Sequence, residues 1–242
     1  MFNCIVISIP TTVANIAKVL VPPLGRLLRV CFICLSVASA RSEVVYSDSF
    51  ARSGELEGSS PETKPDLVAW SAHSSFYCDS DAEGGSLLGG EPYMDGFHAT
   101  ASLPVSLESG RIYTFSATIF PEYCKSEENK SGWSPSGIGF RGASGELNLS
   151  VRGEWGAAWS LVTQAGEEKY QIETLHERGW KKIRIVIDTR QGEWTANFFL
   201  DDKNLGAISL PPTFQPTEIF LIATDATAAY SDIALRRDES QP

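Results

Sequence analysis

Residues 180–206, WKKIRIVIDTRQGEWTANFFLDDKNLG, decide the fold. Ile183, Ile185 and Ile187 alternate with Arg184, Val186 and Asp188, the period of two that a half-buried strand imposes. A short polar link containing Gly192 follows, and then Trp194, Ala196, Phe198 and Leu200 alternate with Thr195, Asn197, Phe199 and Asp201. Two alternating runs joined by a short glycine-bearing link predict an antiparallel hairpin. A second turn at Asp201-Asp202-Lys203-Asn204 sends the chain back through Leu205-Gly206. Val186 and Phe199 interrupt the polar face of each run, which predicts a central pair covered on much of both sides.

The same period recurs outward from this hairpin. Tyr113, Phe115, Ala117 and Ile119 alternate with Thr114, Ser116 and Thr118, and Leu147, Leu149 and Val151 alternate with Asn148, Ser150 and Arg152. Further strands are expected at 44–50, 67–70, 98–103, 137–141, 219–224 and 231–235, with weaker candidates at 158–162 and 170–172. Residues 51–65, 79–96 and 121–135 are rich in Gly, Ser, Pro and charge, and read as loops. No window sustains apolar residues at helical spacing for three turns. About a dozen short strands with even turn spacing predict an all-β, two-sheet antiparallel sandwich.

The N-terminus has a different character. Arg26 and Arg29 precede the apolar run 30–37, and Ala38-Ser39-Ala40 supplies a small-x-small cleavage pattern. This predicts a secretory signal peptide over residues 1–40 and one domain over 41–242 with a short polar tail. A retained membrane anchor is the competing reading. Cleavage after Ala40 removes three basic residues and no acids, taking the net charge from −10 to −13 on 202 residues. Such an acidic chain repels nucleic acid and anionic lipid, which leaves a glycan or another extracellular surface ligand open as the partner, without membrane insertion after cleavage. Two cysteines survive processing, Cys78 and Cys124. An oxidising compartment favours a disulfide between them, stabilising by roughly 4 kcal/mol at best; two free thiols are the alternative.

Several motifs now carry a resemblance. Asp48-Ser49-Phe50-x-Arg52-x-Gly54-x-Leu56-x-Gly58-x-x-Pro61 with Trp70 downstream resembles the entry of LamG-like domains of the concanavalin A-like lectin/glucanase superfamily. Leu103-Pro104-x-x-Leu107-x-x-Gly110-x-x-Tyr113, the 180–206 hairpin with its Asp201-Asp202 turn, and Tyr230-Ser231-Asp232-Ile233-x-Leu235 extend the likeness over residues 44–236. The resemblance implies a jelly roll of two curved sheets, a frame shared by sugar binders, adhesion modules and glycan-cleaving enzymes. In such a frame the first and last strands commonly lie side by side, which would bring Asp48 near Asp232 as partial ligands for a structural calcium ion. No other cofactor is expected.

The chemistry-bearing patterns are sparse. Glucanases of the resembling superfamily carry a strand motif Glu-x-Asp-x-x-Glu, which sets two carboxylates on one face. That spacing is absent, so no catalytic residue is assigned and a non-catalytic module is expected. His73, His98 and His176 are scattered without metal-ligand spacing. Of six tryptophans, Trp70, Trp180 and Trp194 are expected in the core because they border strong strands. Trp133, Trp155 and Trp159 lie in or near presumed loops with Arg141 nearby, and these four form the candidate ligand site. An exposed indole offers a sugar ring an apolar face while polar neighbours hydrogen-bond its hydroxyls. Packing of the same indoles beneath the loops is the competing account. The readings carried forward are a carbohydrate-binding module, a diverged glycoside hydrolase or polysaccharide lyase, and a protein-binding adhesion module.

Overall fold

The computed structural model describes residues 42–64, 67–80, 86–90, 98–124, 136–152, 156–172 and 179–238, leaving aside the side chains of residues 123–124 and 171–172. By its contacts the chain divides into two compact units, Met1–Val37 and Ala38–Pro242. All described residues belong to the second, and the expected leader lies outside them.

The described residues form sixteen strands. The first eight are β1 (Ser42–Asp48), β2 (Gly54–Glu55), β3 (Ser71–Ala72), β4 (Tyr77–Asp79), β5 (Ser86–Gly89), β6 (His98–Pro104), β7 (Ile112–Cys124) and β8 (Ser136–Gly142). They are followed by β9 (Gly145–Arg152), β10 (Gly156–Thr163), β11 (Gly166–Ile172), β12 (Lys181–Asp188), β13 (Trp194–Leu200), β14 (Lys203–Leu210), β15 (Glu218–Thr224) and β16 (Ala226–Asp238). Sheet A runs β14-β13-β12-β7-β16-β5-β4-β2, with β1 also on β16. Sheet B runs β11-β10-β9-β8-β15-β6-β3, and every pairing in both sheets is antiparallel. The all-β sandwich expected from the alternation is therefore what forms, in an arrangement consistent with a jelly roll.

Alternation sorts the side chains into layers. Ile183, Ile185 and Ile187 on β12, Phe115, Ala117 and Ile119 on β7, and Ile138, Phe140, Leu147, Leu149 and Val151 on β8–β9 are fully or almost fully buried in one core between the sheets. The decisive hairpin pairs Ile183 with Leu200, Ile185 with Phe198 and Ile187 with Ala196. Asp201 and Asp202 both adopt positive φ (45° and 66°) to turn β13 into β14, a conformation short polar side chains tolerate.

The hairpin sits second and third from one edge of sheet A, while β7 and β16 hold its middle. What breaks the polar face is compensated locally: the Arg184 guanidinium stacks 4.4 Å from the Phe199 ring centre, and Val186 is only half-buried. Residues 67–70 are loop rather than strand, though Trp70 is buried as expected. The two weaker candidates, 158–162 and 170–172, belong to β10 and β11.

Candidate functional site

The entry motif builds an internal clasp. Asp48, 1% exposed, receives hydrogen bonds from Arg52 Nη1 (2.7 Å) and Nη2 (2.8 Å), Trp70 Nε1 (3.0 Å) and the Phe50 backbone N–H (3.0 Å). Phe50 adopts φ +58° to bring its own N–H onto this carboxylate. The first and last strands do pair, with Asp48 opposite Ile233. Asp232 nevertheless stands exposed at φ +50° in a bulge of β16, while the Asp48 carboxylate is turned inward and already holds four donors. The two aspartates thus do not make the expected calcium site. Among the described residues no three His, Cys, Asp or Glu side chains gather as metal ligands.

The disulfide expectation is also corrected. Cys78 is a free, buried thiol whose pKa burial pushes up, against the opposing pull of Arg52. It pairs with Leu87, Leu87 with Tyr230, and Tyr230 with Ile119, five residues from Cys124. Three strand spacings of about 4.8 Å already separate the two backbones by roughly 14 Å, beyond disulfide reach.

Of the four residues expected at the ligand site, the structure describes two, Trp159 and Arg141, and these face opposite sides of sheet B. Trp133 and Trp155 lie outside the described residues. Trp159, 6% exposed, is on β10 and points into the core, stacked 4.8 Å from Phe198 and 5.9 Å from Tyr170. Its indole edge is seated over Gly206, where a Cβ would lie 3.4 Å from Nε1. Arg141 faces the opposite way, on the outer face of sheet B. There it bonds Glu218 at 2.6 Å, approaches Glu146 at 4.0 Å and lies 5.0 Å over the Phe220 ring.

That outer face carries Glu146, Asn148 and Ser150 at alternate positions of β9, so only one of the three is a carboxylate. Asn148 donates to Glu146 and accepts from Ser160. Glu146 and Glu218 flank Arg141 across two strand spacings, roughly 10 Å. Arg141 lies between the two carboxylates. Phe220 and Ile222 are buried here, and the Phe220 ring lies against Gly139, where an added Cβ would come within 2.5 Å of it.

A different surface stands out on sheet A. Trp180, expected in the core, is 49% exposed, because it precedes β12 and falls on the outward phase of the alternation. Its ring packs 5.7 Å from Phe120. Phe120 pairs with Ala229, Ala229 with Leu88, and Leu88 with Tyr77, itself 48% exposed. Their neighbours Ile119, Tyr230, Leu87 and Cys78 point into the core, so these five face outward as one apolar row across four strands and the approach to β12.

Beside it runs a second, polar row: Lys182 pairs with Thr118, Thr118 with Ser231, and Ser86 with Asp79. The β5–β16 pairing ends at Tyr230 and Leu87, one residue short of Ser231 and Ser86, and Ser86 is 5% exposed. The exposed Asp232 adjoins Ser231, whose hydroxyl donates to its carboxylate at 3.3 Å. The sequence signal for this surface was available in the outward phase of Phe120 and Tyr77. What it lacked was the strand order that aligns them.

A cavity of about 420 Å³ by β1 includes Glu43, Lys64 and Arg237 in its lining. Arg237 is paired to Glu43 (2.5 Å) and Glu108 (3.0 Å), so much of the charge there is compensated.

With this geometry in place, comparison with known proteins adds one thing. No family model matches the chain, and no curated protein does. Among solved structures, an endo-1,3-β-glucanase from Streptomyces sioyaensis aligns over 81% of this chain and 96% of its own, with TM-score 0.56 and 10% identity. A glycosyl hydrolase family 16 protein from Mycobacterium smegmatis (80% and 100% covered, TM-score 0.50, 13% identity) and a β-1,3-glucanase from Mycobacterium marinum (80% and 98%, 0.50, 11%) are similar too. The likeness is one of fold. It carries no residue role across.

Proposed function

We propose that the chain is an exported, LamG-like carbohydrate-binding module without glycan-cleaving chemistry. The observation that carries this reading is the outward double row on sheet A, aromatic at both ends and lined by hydrogen-bonding groups. Sugar rings present C–H faces that stack on Trp and Tyr, while their hydroxyls need donors and acceptors alongside. Trp180, Phe120 and Tyr77 supply the first, and Lys182, Thr118, Ser231 and Asp232 the second.

The enzymatic alternative is disfavoured by Arg141, which ties up Glu146 and Glu218 together. The adhesion alternative is disfavoured by shape: the apolar side chains form one line bordered by polar ones, where a protein partner calls for a broad apolar patch. The test is a glycan array probed with the protein and with Trp180→Ala. Wild type should retain at least one glycan class, and the variant should lose it while melting at the same temperature. Equal retention by the variant removes the row from the account, and release of new reducing ends from a retained glycan would restore the enzyme.

A further inference from the structure

We infer that the row takes a linear, uncharged polysaccharide through the interior of its chain, lying across the strands; this rests on the glycan-binding reading above. Length is the first ground. Trp180 on the approach to β12 and Tyr77 on β4 are separated by four strand spacings of about 4.8 Å, roughly 19 Å in all. Several pyranose rings in an extended chain fit that run, and a single sugar does not fill it.

Relief along the row is the second ground. The aromatics at the two ends are each about half exposed, whereas Ala229 in the middle is 5% exposed and small. The profile is a shallow saddle with an open platform at either end. A terminal sugar is held differently, by groups converging around the one ring that ends the chain. Here the contacts are instead spread at strand intervals, so binding strength accumulates with each ring laid down until the row is full.

Charge is the third ground. Lys182 in the polar row is set against the exposed Asp232, and the exposed Glu55 pairs with Tyr77 just beyond the row's end. Carboxylates accept hydrogen bonds from sugar hydroxyls and repel uronates and sulfates, and the whole chain carries a net charge of −10.

The experiment has two arms on the intact protein. Native affinity electrophoresis is run in gels containing neutral linear β-glucans and mannan, or alginate and polygalacturonate. Titration calorimetry then follows a neutral oligosaccharide ladder, from disaccharide to hexasaccharide, of the polymer retained best. Retention by a neutral polymer, an affinity rising at least tenfold up the ladder, and a loss of about tenfold for the hexasaccharide in both Tyr77→Ala and Trp180→Ala would support the inference. Stronger retention by the acidic polymers, or a disaccharide bound as tightly as the hexasaccharide, overturns it while leaving a glycan-binding module in place. Retention that neither variant weakens overturns the location. Wild type retained by no glycan overturns the functional reading itself.

Discussion

Replacing Asp48 by Asn should show how much the entry motif contributes to the fold. Asn keeps the shape of the side chain, so no cavity opens, but it removes the charge and turns an N–H₂ group toward Arg52. The Asp48 side chain is fully buried and that of Arg52 is 27% exposed, with their closest approach at 2.7 Å. Breaking a buried ion pair by neutralising one partner costs about 3–5 kcal/mol. Arg52 can reach water in part, which draws the expected loss to the lower end, about 3 kcal/mol. For a domain of this length each kcal/mol lowers Tm by about 2–4 °C, so the variant should melt roughly 6–12 °C below wild type. Calorimetry measures this directly, and a double-mutant cycle with Arg52→Met should return a coupling of the same sign. A Tm for Asp48→Asn within a degree or two of wild type would refute the clasp as a stabilising element.

Other outcomes follow from the same geometry. Trp159→Ala should cost about 3–5 kcal/mol, since it empties a stack against Phe198; Trp159→Phe should cost less, because the indole N–H is buried without a partner among the described residues. Millimolar calcium followed by chelator should leave the melting temperature unchanged, as should Asp232→Ala; a rise with calcium would reinstate the metal site. Gly139→Ala should destabilise by about 1–3 kcal/mol in denaturant titrations, because its Cβ would meet the Leu147 carbonyl at 2.4 Å and the Phe220 ring at 2.5 Å. Hydrogen bonding from Arg190 holds the Asp188 carboxyl below its usual range. Its contribution to stability is therefore present above the unfolded carboxyl value, about pH 4, and is lost as pH falls through the lower folded value. Asp188→Asn should flatten that part of the stability–pH curve.

The sandwich was legible because a strand with one buried face writes its period into the sequence. Ile183-Ile185-Ile187 and Leu147-Leu149-Val151 needed no partner to be read. Pairing between distant strands was not legible in the same way. Val186 and Phe199 suggested a central position, yet one arginine over the Phe199 ring covers a near-edge strand as well as a neighbouring sheet would. Trp159 stood in the weak strand candidate 158–162, where nothing local says which face it takes, and its partner Phe198 lies about forty residues away on the other sheet. Trp180 failed for the opposite reason. Proximity to a strong strand says nothing of which face the residue takes at its end. Cys78 and Cys124 invited pairing on count alone, and only the β4-β5-β16-β7 order shows how far apart they stand.

The central claim is that ligand binds the outer face of sheet A and not that of sheet B. The most direct measurement is a chemical-shift map of the ¹⁵N-labelled protein titrated with the neutral oligosaccharide it binds best. The account predicts perturbations at the Trp180 indole N–H and at the amides of Tyr77, Leu88, Thr118, Phe120, Lys182, Ser231 and Asp232, with sheet B silent. Shifts centred instead on Gly139, Arg141, Glu146, Asn148 and Phe220 would contradict it.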